Sequence, residues 1–366
     1  MKENEIIALL RLQKIPGLGP VRAKKLIALA GSPTAVFEDP GLSARARLRT
    51  GLEAALGEES HLRAAAGEYE YTLKEQISCL TYLNPDYPVN LAQCEDAPLL
   101  LFHRGLIDLN KRPVLAVVGT RAMTGYGRRF CEKFIAEIAC LNPVIVSGLA
   151  FGVDVCAQQA ALNQGLHTVA CLAHGLDVIY PEAHAGLAPQ IAEQGGLLTE
   201  FWSGTAPEPH HFLRRNRIIA GLCQATVVIE SAARGGSLAT ADLAFGYNRE
   251  VFAVPGRADD TYSEGCNGLI SQQKAQLLTS ARQFMEAMNW TGPAAPSEKG
   301  PGRIPGHWSE IERNLASFLR ENGEPTLDEL ARGCRLPVQK AAAALFDLEL
   351  QGFVRPLPGK RYAWAG

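Results

Sequence analysis

Long apolar runs are missing from this 366-residue chain. None approaches the roughly 20 residues that cross a bilayer, so no membrane span is expected. Paired cysteines are missing too: nine are scattered with no Cys-x-x-Cys among them. An odd, patternless set argues against a disulfide framework or a zinc site, and for reduced thiols that serve as small buried residues. The opening Met1-Lys2-Glu3-Asn4-Glu5 lacks the basic-then-apolar layout of a signal peptide, so a cytoplasmic location is expected. An excess of positive charge is also absent, with 36 Lys+Arg against 38 Asp+Glu. That excludes whole-molecule attraction to nucleic acid but leaves room for a local basic groove.

What is present is a run of glycine-bearing turns between Val114 and Pro255, each placed after an apolar stretch and before a helical pattern. The first is Gly119-Thr120-Arg121-Ala122-Met123-Thr124-Gly125-Tyr126-Gly127. The second is Ser147-Gly148-Leu149-Ala150-Phe151-Gly152-Val153-Asp154. The third is Arg234-Gly235-Gly236-Ser237-Leu238-Ala239-Thr240, and Arg214-Arg215-Asn216-Arg217 precedes it. The apolar stretches Val114–Val118, Val144–Val146, Thr168–Leu172, Leu197–Leu198, Val227–Ile229 and Val251–Val254 alternate with helical patterns. That is the signature of a parallel sheet covered on both faces, an α/β fold. In such sheets the turns gather at the carboxyl ends of the strands, where helix-start N–H groups attract anions. A phosphate-bearing ligand is expected, and the arginines point to a large one.

Two smaller domains flank this core. Residues 1–78 read as helical, with Lys14-Ile15-Pro16-Gly17-Leu18-Gly19-Pro20 breaking two amphipathic runs into a helix-hairpin-helix. Arg22, Lys24 and Lys25 flank its glycines, so Gly17, Gly19 and these bases are possible DNA contacts; a plain interhelical turn is the equal alternative. The core runs over 79–290, and a proline- and glycine-rich linker over 291–306. Residues 307–366 read as three helices and a hairpin, a winged helix, with a capping box at Thr326 and Glu329.

The core segments resemble the bacterial DNA-processing protein A (DprA, also called Smf) family. The matching blocks are Val118-Gly119-Thr120-Arg121 with Tyr126-Gly127, Ser147 through Asp154, Gly175-Leu176-Asp177 with Tyr180-Pro181, and Arg215 through Leu222. Gly236 through Ala241, Arg249 through Gly256 and Gly265 through Ile270 complete them. The family pattern usually has a proline where Leu213 stands, a serine at Gly235 and a glycine near Gln273-Lys274. The resemblance implies an extended Rossmann-like core between a SAM-like helical domain and a winged helix. It implies a non-enzymatic protein, without cofactor or metal, that binds single-stranded DNA, protects incoming DNA during natural transformation and forms a homodimer. It also implies loading of RecA onto DNA coated by single-strand-binding protein.

On this reading Arg121 meets a phosphate with the N–H groups near Gly125 and Gly127. Ser147-Gly148 and Gly235-Gly236-Ser237 supply further helix-start sites. Arg214, Arg215, Asn216 and Arg217 form the groove wall, although Arg217 is equally a structural bridge to an acidic partner. Glu200 and Glu230, at strand ends, are expected to orient loops or arginines. Leu269 and Ile270, followed by Leu277-Leu278, are expected at the dimer interface, with burial in the core as the alternative.

Enzymatic signatures are weak beside this. Gly119, Gly125 and Gly127 have the wrong spacing for a dinucleotide fingerprint. Ser147, Asp154 and His174 lack a nucleophile elbow, and Asp154 reads as a helix cap. His210-His211 shows no carboxylate or cysteine at metal spacing and reads as a solvated or DNA-facing pair. The rival is a nucleotide phosphoribohydrolase-like enzyme of the same sheet type. It requires a glutamate in the turn after the third glycine motif, where this chain has only Asp242. The third helix of the winged helix carries Lys340 as its only base, which favours docking a protein partner over reading DNA.

Overall fold

Nine strands form one sheet in the order β1-β2-β6-β5-β4-β3-β7-β8-β9. They are β1 (Ser78–Thr81), β2 (Leu100–Gly105), β3 (Val114–Val118), β4 (Val144–Ser147), β5 (Thr168–Cys171), β6 (Gly196–Thr199), β7 (Ala225–Val228), β8 (Glu250–Ala253) and β9 (Gln276–Leu277). The structure is a computed structural model that describes residues 2–48, 50–290 and 308–364, the last stretch without 352 and 358. The expected linker lies outside the described residues. The six expected parallel strands are all there, and β3 to β7 are buried at every position. Strands covered on both faces read as continuous apolar runs, which is why they are visible in the sequence. The edge elements β1, β2 and β9 add to the expectation. β1 and β2 join antiparallel, and β9 is two residues long.

Alternate residues of one strand serve opposite layers, as the two-residue strand period requires. Val114, Ala116 and Val118 of β3 belong to a core shared with Ile218, Ile219 and Ala244. Leu115 and Val117 belong to another, shared with Phe134, Ile135, Ala157 and Phe284. The helices behind the first core are Pro209–Leu222 and Gly236–Gly246; behind the second are Gly125–Ile138, Val153–Asn163 and Ala281–Met288.

The chain divides into two compact units, Met1–Gly292 and Pro293–Gly366. In the first, helices Glu3–Lys14 and Pro20–Ala30 enclose the glycine turn, as the hairpin pattern predicts. This helical segment is joined to the sheet: Leu10 of the first helix and Ala65 of the later helix Glu59–Lys74 share a core with Leu100, Phe102 and Leu197. Trp202 Nε1 donates to Gln13 Oε1 (3.0 Å), and the Ser203 amide donates to Glu68 (2.8 Å). The second unit has helices Glu310–Asn322, Leu327–Gly333 and Val338–Leu350, then the β10 (Val354–Leu357) and β11 (Arg361–Trp364) hairpin. Capping boxes start its first two helices, at Ser309 with Glu312 and at Thr326 with Glu329. Among the described residues no helix is long and apolar enough to cross a membrane.

Candidate nucleic-acid interface

The sheet reverses its winding between β3 and β7. From β3 the chain crosses to β4 on one side; from β7 it crosses to β8 on the other. Two helices therefore leave the carboxyl ends of neighbouring strands in opposite directions, and the gap between them is where open α/β sheets bind ligands. A cleft of about 550 Å³ lies there. The turn after β3 (Gly119, Thr120, Arg121) lines one side and the start of the Gly236–Gly246 helix lines another. Phe212 and Asn216 of the Pro209–Leu222 helix, with Tyr180, complete the wall.

The first turn is pinned from below. A Cβ at Gly119 would fall 2.4 Å from Val153 Cγ2, so only glycine lets the chain pass. The Thr120 amide donates to the Glu230 carbonyl (2.7 Å). Thr124 caps the following helix by accepting from the Gly127 amide (3.2 Å). Thr124 is itself held by buried Glu230, to which its amide (2.8 Å) and its hydroxyl (2.5 Å) both donate. Gly127 is glycine because a Cβ there would sit 2.4 Å from the Glu230 carboxylate. With its amide occupied, Gly127 shapes the turn and does not meet a phosphate, which corrects one expectation. Gly125 and Tyr126 are exposed in the first helical turn, where amides have no intrahelical acceptor. Arg121 is exposed, with its guanidinium 5.4 Å over the Phe212 ring centroid.

The third turn is open as well. Gly236 is exposed, with free space where a Cβ would project. Ser237 is buried, and its hydroxyl donates to Ser231 Oγ (2.9 Å), so it offers an amide rather than a hydroxyl. Gly235 admits Ser231, whose Oγ would lie 2.2 Å from an added Cβ. Asn216 Nδ2 reaches the Gly236 carbonyl (3.4 Å) and ties the helix start to the opposite wall.

Residues 78–289, more than half of the chain, match the family described as DNA recombination-mediator protein A, and residues 300–360 match the DprA winged helix domain. The chain belongs to this family. It is 43% identical over 211 residues to the DNA processing protein DprA of Streptococcus pneumoniae, covering 58% of this chain and 74% of that one. An X-ray structure of DNA processing protein A from Streptococcus pneumoniae superposes with a TM-score of 0.67 at 35% identity, over 78% of this chain and 98% of that one. A Helicobacter pylori DNA processing protein A, solved for its single-stranded DNA binding mode, has a TM-score of 0.53 at 30% identity, over 58% and 96%.

The second turn departs most from expectation. Ser147 is fully buried and its hydroxyl donates to the Val117 carbonyl (2.6 Å). The Gly148 amide donates to Asp154 Oδ2 (3.1 Å), and the Gly148 carbonyl accepts from Arg215 (2.9 Å). Arg215, 4% exposed, also donates to the Cys171 carbonyl. Ser147, Gly148 and Arg215 are therefore corrected from phosphate ligands to the floor beneath the cleft. Asp154 is corrected from a helix cap to an acceptor for the turn. Burial pushes its carboxyl up from the ordinary range, against the opposing pull of Arg215.

The other two arginines turn away. Arg214 Nε lies 3.0 Å from Glu200, and Arg217 pairs with the same buried carboxylate while donating to the Asp96 carbonyl (2.5 Å). Arg217 is thus a structural bridge, the alternative left open from the sequence, and Glu200 and Glu230 orient neighbours as expected. Arg214 and Arg217 line a second cleft of about 570 Å³ together with Gly17 and Gly19. The hairpin turn faces this cleft. Lys24 leans on the core, donating to the Glu95 carbonyl (3.4 Å), while Arg22 and Lys25 are exposed.

At the expected dimer contact, Leu269 is 5% exposed and belongs to the core, which corrects that expectation; Ile270 packs partly against the same core. The exposed apolar residue there is Leu277 on β9, 42% exposed. Sequence reasoning also missed Phe212 and Tyr180 as cleft walls, their rings 5.9 Å apart. It missed a carboxylate beside His210: Glu208 Oε2 lies 3.4 Å away, and Glu208, His210 and His211 bring three ligand atoms within 4.8 Å. All three stand at the positive end of the Pro209–Leu222 helix dipole, which opposes a cation.

Proposed function

We propose that this protein is a single-stranded DNA-binding recombination mediator whose binding site is the β3/β7 cleft. The observation that carries the reading is Arg121 over the Phe212 ring, in a cleft that also takes in the start of the Gly236–Gly246 helix. Amides and a guanidinium suit phosphates, and an aromatic wall suits unpaired bases. An open cleft with several anion sites fits a polymer better than a mononucleotide. The single-stranded DNA binding mode of the Helicobacter pylori relative supports the same reading. Titration of labelled single- and double-stranded oligonucleotides at two salt concentrations tests it. Tighter, salt-sensitive binding of the single strand is expected; equal affinity for the duplex, or none for either, overturns it.

In this role the protein protects incoming DNA in the cytoplasm during natural transformation and hands it to RecA in exchange for single-strand-binding protein. RecA filament assembly on coated DNA, with and without the protein, is the check. The Met1–Gly292 unit carries the site, and the winged helix docks a partner, in keeping with Lys340 as the one base of its third helix. Homodimerisation through the sheet edge is supported by exposed Leu277 and Phe245. Leu277→Glu is then expected to give a folded monomer in light scattering; an unchanged molar mass argues against this edge.

A further inference from the structure

The turn after β4 has no amide left for a phosphate at Gly148, yet its tip projects a large apolar side chain into solvent. Phe151 is 47% exposed, beside Ala150, which lines the cleft. Its mount is rigid. Leu149, buried and not glycine, has φ 56°, and Gly152 has φ 77°. A Cβ at Gly152 would lie 2.2 Å from the Thr120 carbonyl oxygen, and the Val153 amide donates to that same oxygen (3.1 Å). The tip is therefore locked onto the Arg121 turn. A buried non-glycine residue in the left-handed region costs free energy and persists where its surroundings enforce it, a pattern that clusters at functional sites.

The ring itself is half exposed. His184 packs edge-on against it at 4.9 Å and 65°, and is fixed in turn by a hydrogen bond between its Nδ1 and the Leu149 carbonyl (2.8 Å). A braced, exposed aromatic loses little side-chain freedom when something stacks on it.

We propose that Phe151 is a base-stacking residue, so that the second turn contacts the strand through a base while the first and third hold its phosphates. This rests on the single-strand reading above. It also supplies strand discrimination, because a duplex keeps its base faces stacked inside.

The test compares full-length protein and Phe151→Ala on two ligands with the same phosphate spacing: an oligothymidylate about 20 nucleotides long and an abasic strand of equal length. Stacking of one base corresponds to a loss of about fivefold to about a hundredfold on thymidylate. The abasic affinity and the thermal midpoint are expected to stay unchanged. Phe151→Trp is expected to keep the affinity and to add indole emission that thymidylate quenches and the abasic strand does not. Undiminished thymidylate binding by Phe151→Ala, or an equal loss on both ligands, overturns the assignment while leaving the cleft reading intact. If the unsubstituted protein binds neither ligand, the single-strand reading itself fails.

Discussion

The turns after β3 and β4 look alike in sequence: an apolar strand, a glycine, a short connecting stretch, then a helix. In the folded protein they have opposite uses. After β4, Asp154 comes back to take the Gly148 amide, and Arg215 takes the carbonyl, so the turn is closed on itself. After β3, Glu230 engages Thr124 from the end of another strand, while Arg121 and Gly125 on either side of Thr124 stay exposed. A glycine turn is thus open to an anion only where the protein's own carboxylates leave part of it unengaged. Which carboxylate reaches where is a matter of tertiary structure.

Substitutions that reopen the closed turn or spoil the open one test this contrast. The largest effect is expected from Asp154→Ala. It strands a buried amide and removes the anion that balances buried Arg215, at about 3 kcal/mol or more of stability by urea unfolding. A change under about 1 kcal/mol would mean that the closed turn is not held by Asp154. Gly127→Ala comes next: its Cβ pushes Glu230 off Thr124, for about 1–3 kcal/mol of stability together with weaker DNA binding. Arg121→Ala is expected to leave the urea midpoint alone and to lower single-strand affinity by about 1.5–3 kcal/mol, the worth of a charge-assisted contact. Unchanged affinity removes Arg121 from the site. The smallest effect belongs to Arg214→Ala, which gives up a half-exposed pair with Glu200. Less than about 1 kcal/mol is expected in either assay, and an affinity loss matching that of Arg121→Ala would place the strand on the far side of the Pro209–Leu222 helix.

The sequence pattern shows the interior of the sheet well and its margins poorly. β3 through β8 announce themselves because burial on both faces demands unbroken apolar runs. β1 and β2 flank an aromatic, proline-rich stretch, Tyr82 to Pro88, and pair antiparallel at an edge, so neither length nor alternation marks them. The join near residue 78 is visible as a shift in composition, yet Leu10 and Ala65 on one side share a core with Phe102 and Leu197 on the other. A fragment starting there would bare that face of the sheet.

Within the site, glycine positions and Arg121 are legible because backbone close approach and exposed charge leave local traces. The burial of Arg215 leaves none. Arg214, Arg215 and Arg217 are chemically identical, and only the helix rotation sends one beneath the cleft and two toward Glu200. Phe212 is equally mute, since an aromatic at helical spacing reads as core.

The bonds from Thr124 to Glu230 join residues 106 apart in sequence. No local segment can form the first turn in its binding shape. The loop between the two partners must close first, and closure of long loops is what slows the folding of such topologies. The hairpin helices and the β3–β4 crossover can form early from nearby contacts, while the candidate anion site waits for β7 to dock beside β3. Recovery of oligonucleotide binding during refolding should therefore trail the recovery of helical signal, making the ligand a clock for the last step of assembly.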